Sequence, residues 1–136
     1  MRMKKTLFVA FAALLLCTSF VTKIASSTGA DLFVTNDTDV ELDATFTSSI
    51  DAITLWGIPP GGVTNSRLVL EDTQHAVDID LNFASPLPHH AVARIYNKGW
   101  DNLVATIDLP AGTSTAGTTL PPPIGNDVIR VSIDRN

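Results

Sequence analysis

The chain has 136 residues, of which 45% are hydrophobic, and one cysteine, Cys17. All fourteen acidic residues lie in 31–136 against five basic ones, Arg67, Arg94, Lys98, Arg130 and Arg135, so this stretch carries a net charge of −9. That field repels phosphate backbones and excludes nucleic acid as a natural partner; the absence of cysteine beyond residue 17 excludes a disulfide framework; and about 100 residues suffice for one domain with its own core.

Residues 1–30 read as a secretory signal peptide. Arg2, Lys4 and Lys5 make a basic start, residues 7–17 form an unbroken apolar run, and the small residues Ala25, Ser26, Ser27, Thr28, Gly29 and Ala30 follow. That order is the layout of an export signal, and the run is short for a membrane span, which needs roughly 20 apolar residues. Cleavage fits after Ser27 or after Ala30. Leu14, Leu15, Leu16 and Cys17 are similar to a bacterial lipoprotein processing box except at Leu16, where that box has a small residue. The expected product is a secreted or periplasmic domain, residues 31–136. It would touch a membrane only through a lipidated Cys17 or an uncleaved N-terminal segment.

Beyond residue 30 the pattern is period 2, not helical. Taken in chain order, eight short strands are expected at 32–35, 40–47, 52–56, 67–71, 77–83, 91–96, 103–109 and 129–133. The clearest is Val77, Ile79, Leu81 and Phe83, alternating with Asp78, Asp80 and Asn82. Each such run has one dry and one wet face. Asn36, Asp37, Thr38 and Asp39 make the first turn, and Tyr96, Asn97, Lys98, Gly99, Trp100, Asp101 and Asn102 a hairpin tip. Pro59, Pro60, Pro86, Pro88 and Pro121, Pro122, Pro123 punctuate the rest. The fold class expected is all-β, an antiparallel two-sheet β-sandwich, immunoglobulin-like in layout, with a closed barrel as the alternative. Val34, Thr35, Asn36 is faintly echoed by Ile95, Tyr96, Asn97.

Chemistry-bearing patterns are sparse. Asp37, Asp39, Glu41 and Asp43 form the densest carboxylate run and are weak metal candidates. They lack the turn glycine of a calcium loop, and alternating apolar residues make a solvated strand face the plainer account. A cation becomes conceivable if Asp78 and Asp80 lie beside them. His89 and His90 are adjacent, so in extended chain they point to opposite faces and share no metal easily. Gly-x-Ser-x-Gly and phosphate-loop patterns are absent. No catalytic residue and no cofactor is assigned.

The aromatic residues are more informative. A Trp on a loop of a rigid scaffold grips a sugar ring, a membrane interface or a partner pocket, unless it caps an open end of the core. Trp100 at the hairpin tip, with Tyr96, Lys98 and Asp101, forms the expected partner-contact patch; Trp56 is the lesser candidate. The function expected is a non-catalytic binding or structural module of the bacterial cell envelope or exterior, recognising protein or carbohydrate through loops at one end of the sandwich. Competing readings are a small cytolysin-like membrane-active protein, disfavoured by the negative charge, and a small hydrolase without a recognisable motif.

Overall fold

Alternating side chains close into two layers in the computed structural model, which describes residues 28–136. Of the expected signal peptide, residues 1–30, the part up to Ser27, with Cys17, lies outside the described residues. Nine strands run β1 Gly29–Asp37, β2 Leu42–Thr47, β3 Ala52–Ile58, β4 Gly62–Val69, β5 Val77–Phe83, β6 Ala91–Asn97, β7 Leu103–Leu109, β8 Thr115–Leu120 and β9 Val128–Arg135. The five-stranded sheet has the order β4-β1-β9-β6-β7, and the four-stranded sheet β3-β2-β5-β8. Their inner faces enclose one core. Leu32, Val34, Ile95, Ile129 and Ile133 come from the first sheet and Leu42, Phe46, Ile79 and Leu81 from the second, all fully or almost fully buried. Each such side chain contributes about 1.5–3 kcal/mol of transfer free energy.

The fold is the expected all-β sandwich, with three points of detail. First, β1 and β9 pair in parallel, Leu32 beside Ile129 and Val34 beside Val131, while every other strand pair is antiparallel. Second, the immunoglobulin-like layout expected from sequence is met as two packed sheets, with β1 and β2 in opposite sheets. Third, there is a ninth strand. β8 shows little apolar alternation because it is an edge strand whose outward side chains are Thr115, Gly117 and Thr119. Gly117 lies opposite Asp80, and a Cβ there would stand 2.8 Å from the Asp80 carboxylate, so glycine is what lets β8 close onto β5. Similarly, β4 begins five residues before the expected 67–71 because its inward side chains Thr64 and Ser66 are polar and only half-buried.

The echo between Val34, Thr35, Asn36 and Ile95, Tyr96, Asn97 has a structural meaning. Both asparagines continue the inward parity of their strands and are almost completely buried. The Asn36 amide donates to the carbonyls of Val40 and Ile58, at 2.8 and 3.0 Å, and its oxygen accepts from the Thr38 backbone N–H. The Asn97 amide donates to the carbonyls of Gly125 and Val128, at 3.1 and 2.8 Å, and its oxygen accepts from the Gly125 N–H. Each side chain thus satisfies backbone groups that a loop would otherwise bury unpaired. Asn97 thereby ties the 125–128 segment to the β6–β7 hairpin.

Candidate functional site

The β6–β7 tip is tightly built. The Asn97 N–H donates to the Asn102 carbonyl at 3.1 Å, and the Asn102 side-chain amide donates back to the Asn97 carbonyl at 2.9 Å. Lys98 and Gly99 both adopt positive φ, 58° and 116°. Two such residues in succession turn the chain sharply, and the turn carries Trp100 back over the sheet.

Trp100 neither caps the core nor projects freely. Its ring meets Phe33 of β1 edge-on, centroids 4.8 Å apart at 73°. The Arg130 guanidinium of β9 lies 3.9 Å from the centroid of Tyr96 and 5.2 Å from that of Trp100. Arg130 Nε also donates to the Trp100 carbonyl at 3.2 Å. Strand register explains the grouping. Asn65 pairs with Phe33, Phe33 with Arg130, Arg130 with Tyr96 and Tyr96 with Leu103. Directly opposed residues share a face, so these five form one row across the outside of the five-stranded sheet. Trp100 remains 48% exposed and Leu103 50% exposed, so the row ends in an open apolar surface. Beside it the sheet is polar: Arg67 Nη1 pairs with Asp31 at 3.0 Å and Arg94 Nη1 with Asp134 at 3.2 Å.

Of the four patch residues expected from sequence, the structure brings Tyr96 and Trp100 together through Arg130. Lys98 belongs to another side of the tip. It lines a cleft of about 260 Å³ with Asn97, Val104, Leu120, Pro121, Pro122, Pro123 and Ile124. Asp101 is exposed in the turn. Phe33 and Arg130 were not singled out by the sequence reading. Their signal was parity: each occupies a wet-face position inside a strong strand, Phe33 between Leu32 and Val34, Arg130 between Ile129 and Val131. A large aromatic at a wet position asks for a cover, and Trp100 is that cover.

The carboxylate run does not converge. Asp39 accepts from Arg135 Nη1 at 3.0 Å and lies 3.9 Å from His89 Nε2. Asp43 accepts from the Gly57 N–H at 2.7 Å, and the Glu41 carboxylate stands over Gly57. Asp37 ends β1 on the other sheet. β2 does lie beside β5, yet the register sets Asp43 against Asn82 and Thr45 against Asp80. Carboxylates there face an amide and a hydroxyl, so no cation is needed to offset like charges. Among the described residues no three His, Cys, Asp or Glu side chains are grouped to hold a metal ion.

The histidines are engaged separately. The His90 ring bonds to Asp108 and, through Nδ1, to Asn136 at 2.9 Å. His75 Nδ1 meets Asp72 at 2.7 Å. That hydrogen bond, reinforced by the charges of Asp72 and Glu71, raises the His75 pKa above the usual imidazole value. The same bond, with one from the Gln74 N–H, lowers Asp72 below the usual carboxylate value. Ser49 Oγ lies nearby but donates to Glu71 at 2.9 Å, not to His75. The base–nucleophile hydrogen bond of an activated serine is therefore missing here.

What the Trp100 row offers is a ring to stack on and a guanidinium to donate. The chain matches no known protein-family model, and a comparison with curated proteins finds no match to it.

Proposed function

We propose that the protein is an exported binding module of the bacterial cell envelope or exterior that grips a carbohydrate on the outer face of its five-stranded sheet, at Trp100. The observation that carries this reading is the half-exposed Trp100 ring, held on a rigid sheet by Phe33 and Arg130 rather than waving on a loop. Pre-organised aromatic surface lowers the ordering cost of binding, and the guanidinium beside it supplies hydrogen bonds to ring hydroxyls. A protein partner fits less well. A standard interface covers roughly 800 Å² on each side, which here would extend over the Asp31–Arg67 and Arg94–Asp134 ion pairs. One or two sugar residues need only the Trp100 end.

Tryptophan fluorescence of a Trp56→Phe background, titrated with neutral and acidic oligosaccharides and with liposomes, tests the proposal. A saturable change with oligosaccharide that disappears in Trp100→Ala is expected. Saturation by liposomes alone would favour the membrane-active reading, and no saturable change with any oligosaccharide would overturn the proposal.

A further inference from the structure

The geometry points to an anionic sugar residue as the ligand, with Arg130 taking its carboxylate or sulfate; the inference rests on the carbohydrate reading above and narrows it. Three arginines lie on the outer face of the five-stranded sheet. Arg67 is matched by Asp31 at 3.0 Å and Arg94 by Asp134 at 3.2 Å. Arg130, in the row between Phe33 and Tyr96, has no carboxylate within ion-pair distance among the described residues. The imbalance matters in a domain with fourteen acidic and five basic residues, where a carboxylate partner for each cation is easily supplied.

Arg130 is nevertheless held in place. Tyr96 lies beneath its guanidinium, Trp100 beside it, and Nε is committed to the Trp100 carbonyl. The terminal nitrogens Nη1 and Nη2 make no hydrogen bond to protein among the described residues. A planar fork, fixed through Nε and its face with its outer edge free, is suited to bidentate recognition of a planar carboxylate or of two sulfate oxygens. The aromatic contacts leave the positive charge uncompensated by any formal negative charge. The Trp100 ring next to it supplies the surface for the sugar. Together they match a charged group and a ring on one ligand.

Because the net charge of −9 over residues 31–136 repels polyanions, the test is isothermal titration calorimetry with three ligands of equal length, each with at most one charge: a neutral oligosaccharide carrying a single galacturonate residue, the same oligosaccharide with that carboxyl group reduced, and the same neutral oligosaccharide carrying a single sulfate. At least one charged ligand should bind ten times or more tightly than the reduced one, the two charged arms showing which anion is preferred. That preference should weaken as salt is raised. Arg130→Gln should abolish it, and Arg130→Lys, which keeps the charge without the fork, should retain only part of it. Melting curves of both variants check that the fold persists. Equal affinity for charged and reduced ligands, or a preference that survives in Arg130→Gln, would overturn the inference while leaving the carbohydrate reading intact. Binding of none of the three would overturn both.

Discussion

Trp100 lies edge-on against Phe33, 4.8 Å between centroids, although 67 positions separate the two in sequence (100 − 33). The contact exists because β9 enters between β1 and β6, placing Arg130 at the register position that links Phe33 to Tyr96. The hairpin tip then folds onto the row instead of into solvent. Everything proposed about binding depends on this arrangement.

Trp100→Ala should cost stability only modestly. An aromatic pair contributes about 0.5–1.5 kcal/mol and an exposed cation–π contact about 0.5–1 kcal/mol, so a loss of about 1–2 kcal/mol by denaturant titration is expected. A loss beyond about 3 kcal/mol would place the ring among core residues.

Asn97→Ala should destabilise far more than the place of a polar residue at a strand end suggests, because Asn97 is almost completely buried. It would strip partners from the Gly125 and Val128 carbonyls and the Gly125 N–H. Buried groups left unpaired cost about 1–3 kcal/mol each when water cannot reach them, and relaxation reduces the sum, so a total of about 2–4 kcal/mol is expected. Asn97→Asp should not rescue it, because an ionised carboxylate cannot donate to the two carbonyls. Full stability in Asn97→Asp would show that the amide donors are dispensable.

Leu81→Ala and Ile107→Ala should differ. Both lie on inward strand positions, but Leu81 is 1% exposed on central β5, whereas Ile107 is only partly buried on edge strand β7. About 2–5 kcal/mol is expected for Leu81 and less than about 2 kcal/mol for Ile107. Equal losses would contradict the edge position of β7.

The His75 ring should titrate above an ordinary histidine, and Asp72→Asn should return it toward the ordinary value, both read by NMR. A folded-state pKa raised by Asp72 means that the His75 contribution is fully present below the unfolded-state pKa and is lost as pH rises through the folded one. Asp72, lowered by the same bond, contributes above its unfolded pKa and loses that contribution as pH falls through the folded one. An unchanged His75 midpoint in Asp72→Asn would remove the pair as the cause.

Processing after Ser27 should be preferred to processing after Ala30. Gly29 opposes Val69, Ala30 is fully buried, and the Thr28 carbonyl accepts from the Leu70 N–H at 2.8 Å. If the chain is exported as proposed, intact-mass measurement of the protein recovered from the envelope or medium should therefore give a start at Thr28 without acyl groups. A start at Asp31, or an acylated start at Cys17, would contradict this.

The sandwich was legible where strands are buried on one face only: Val77, Ile79, Leu81 and Phe83 need no partner information to be read. β8 was not, because an edge strand of Thr and Gly carries almost no alternation. The β1–β9 pairing was not, because parallel neighbours distant in sequence leave no local mark. Half the site was legible. Tyr96 and Trp100 share a hairpin visible in the chain, whereas Arg130 reaches them through the long-range β6–β9 pairing and Phe33 through the parallel β1–β9 pairing. Asn36 and Asn97 looked like turn residues, and their buried parity became meaningful only once the loops they hold were in place.

Chemical-shift mapping by two-dimensional NMR, with an acidic oligosaccharide titrated into residues 28–136, tests the central claim most directly. The account predicts perturbations concentrated on Phe33, Tyr96, Trp100, Leu103 and Arg130, with the Trp100 indole among the largest. Perturbations centred instead on the opposite sheet, at Asp43, Thr45 and Asp80, or on the Lys98 cleft with Trp100 unmoved, would contradict it.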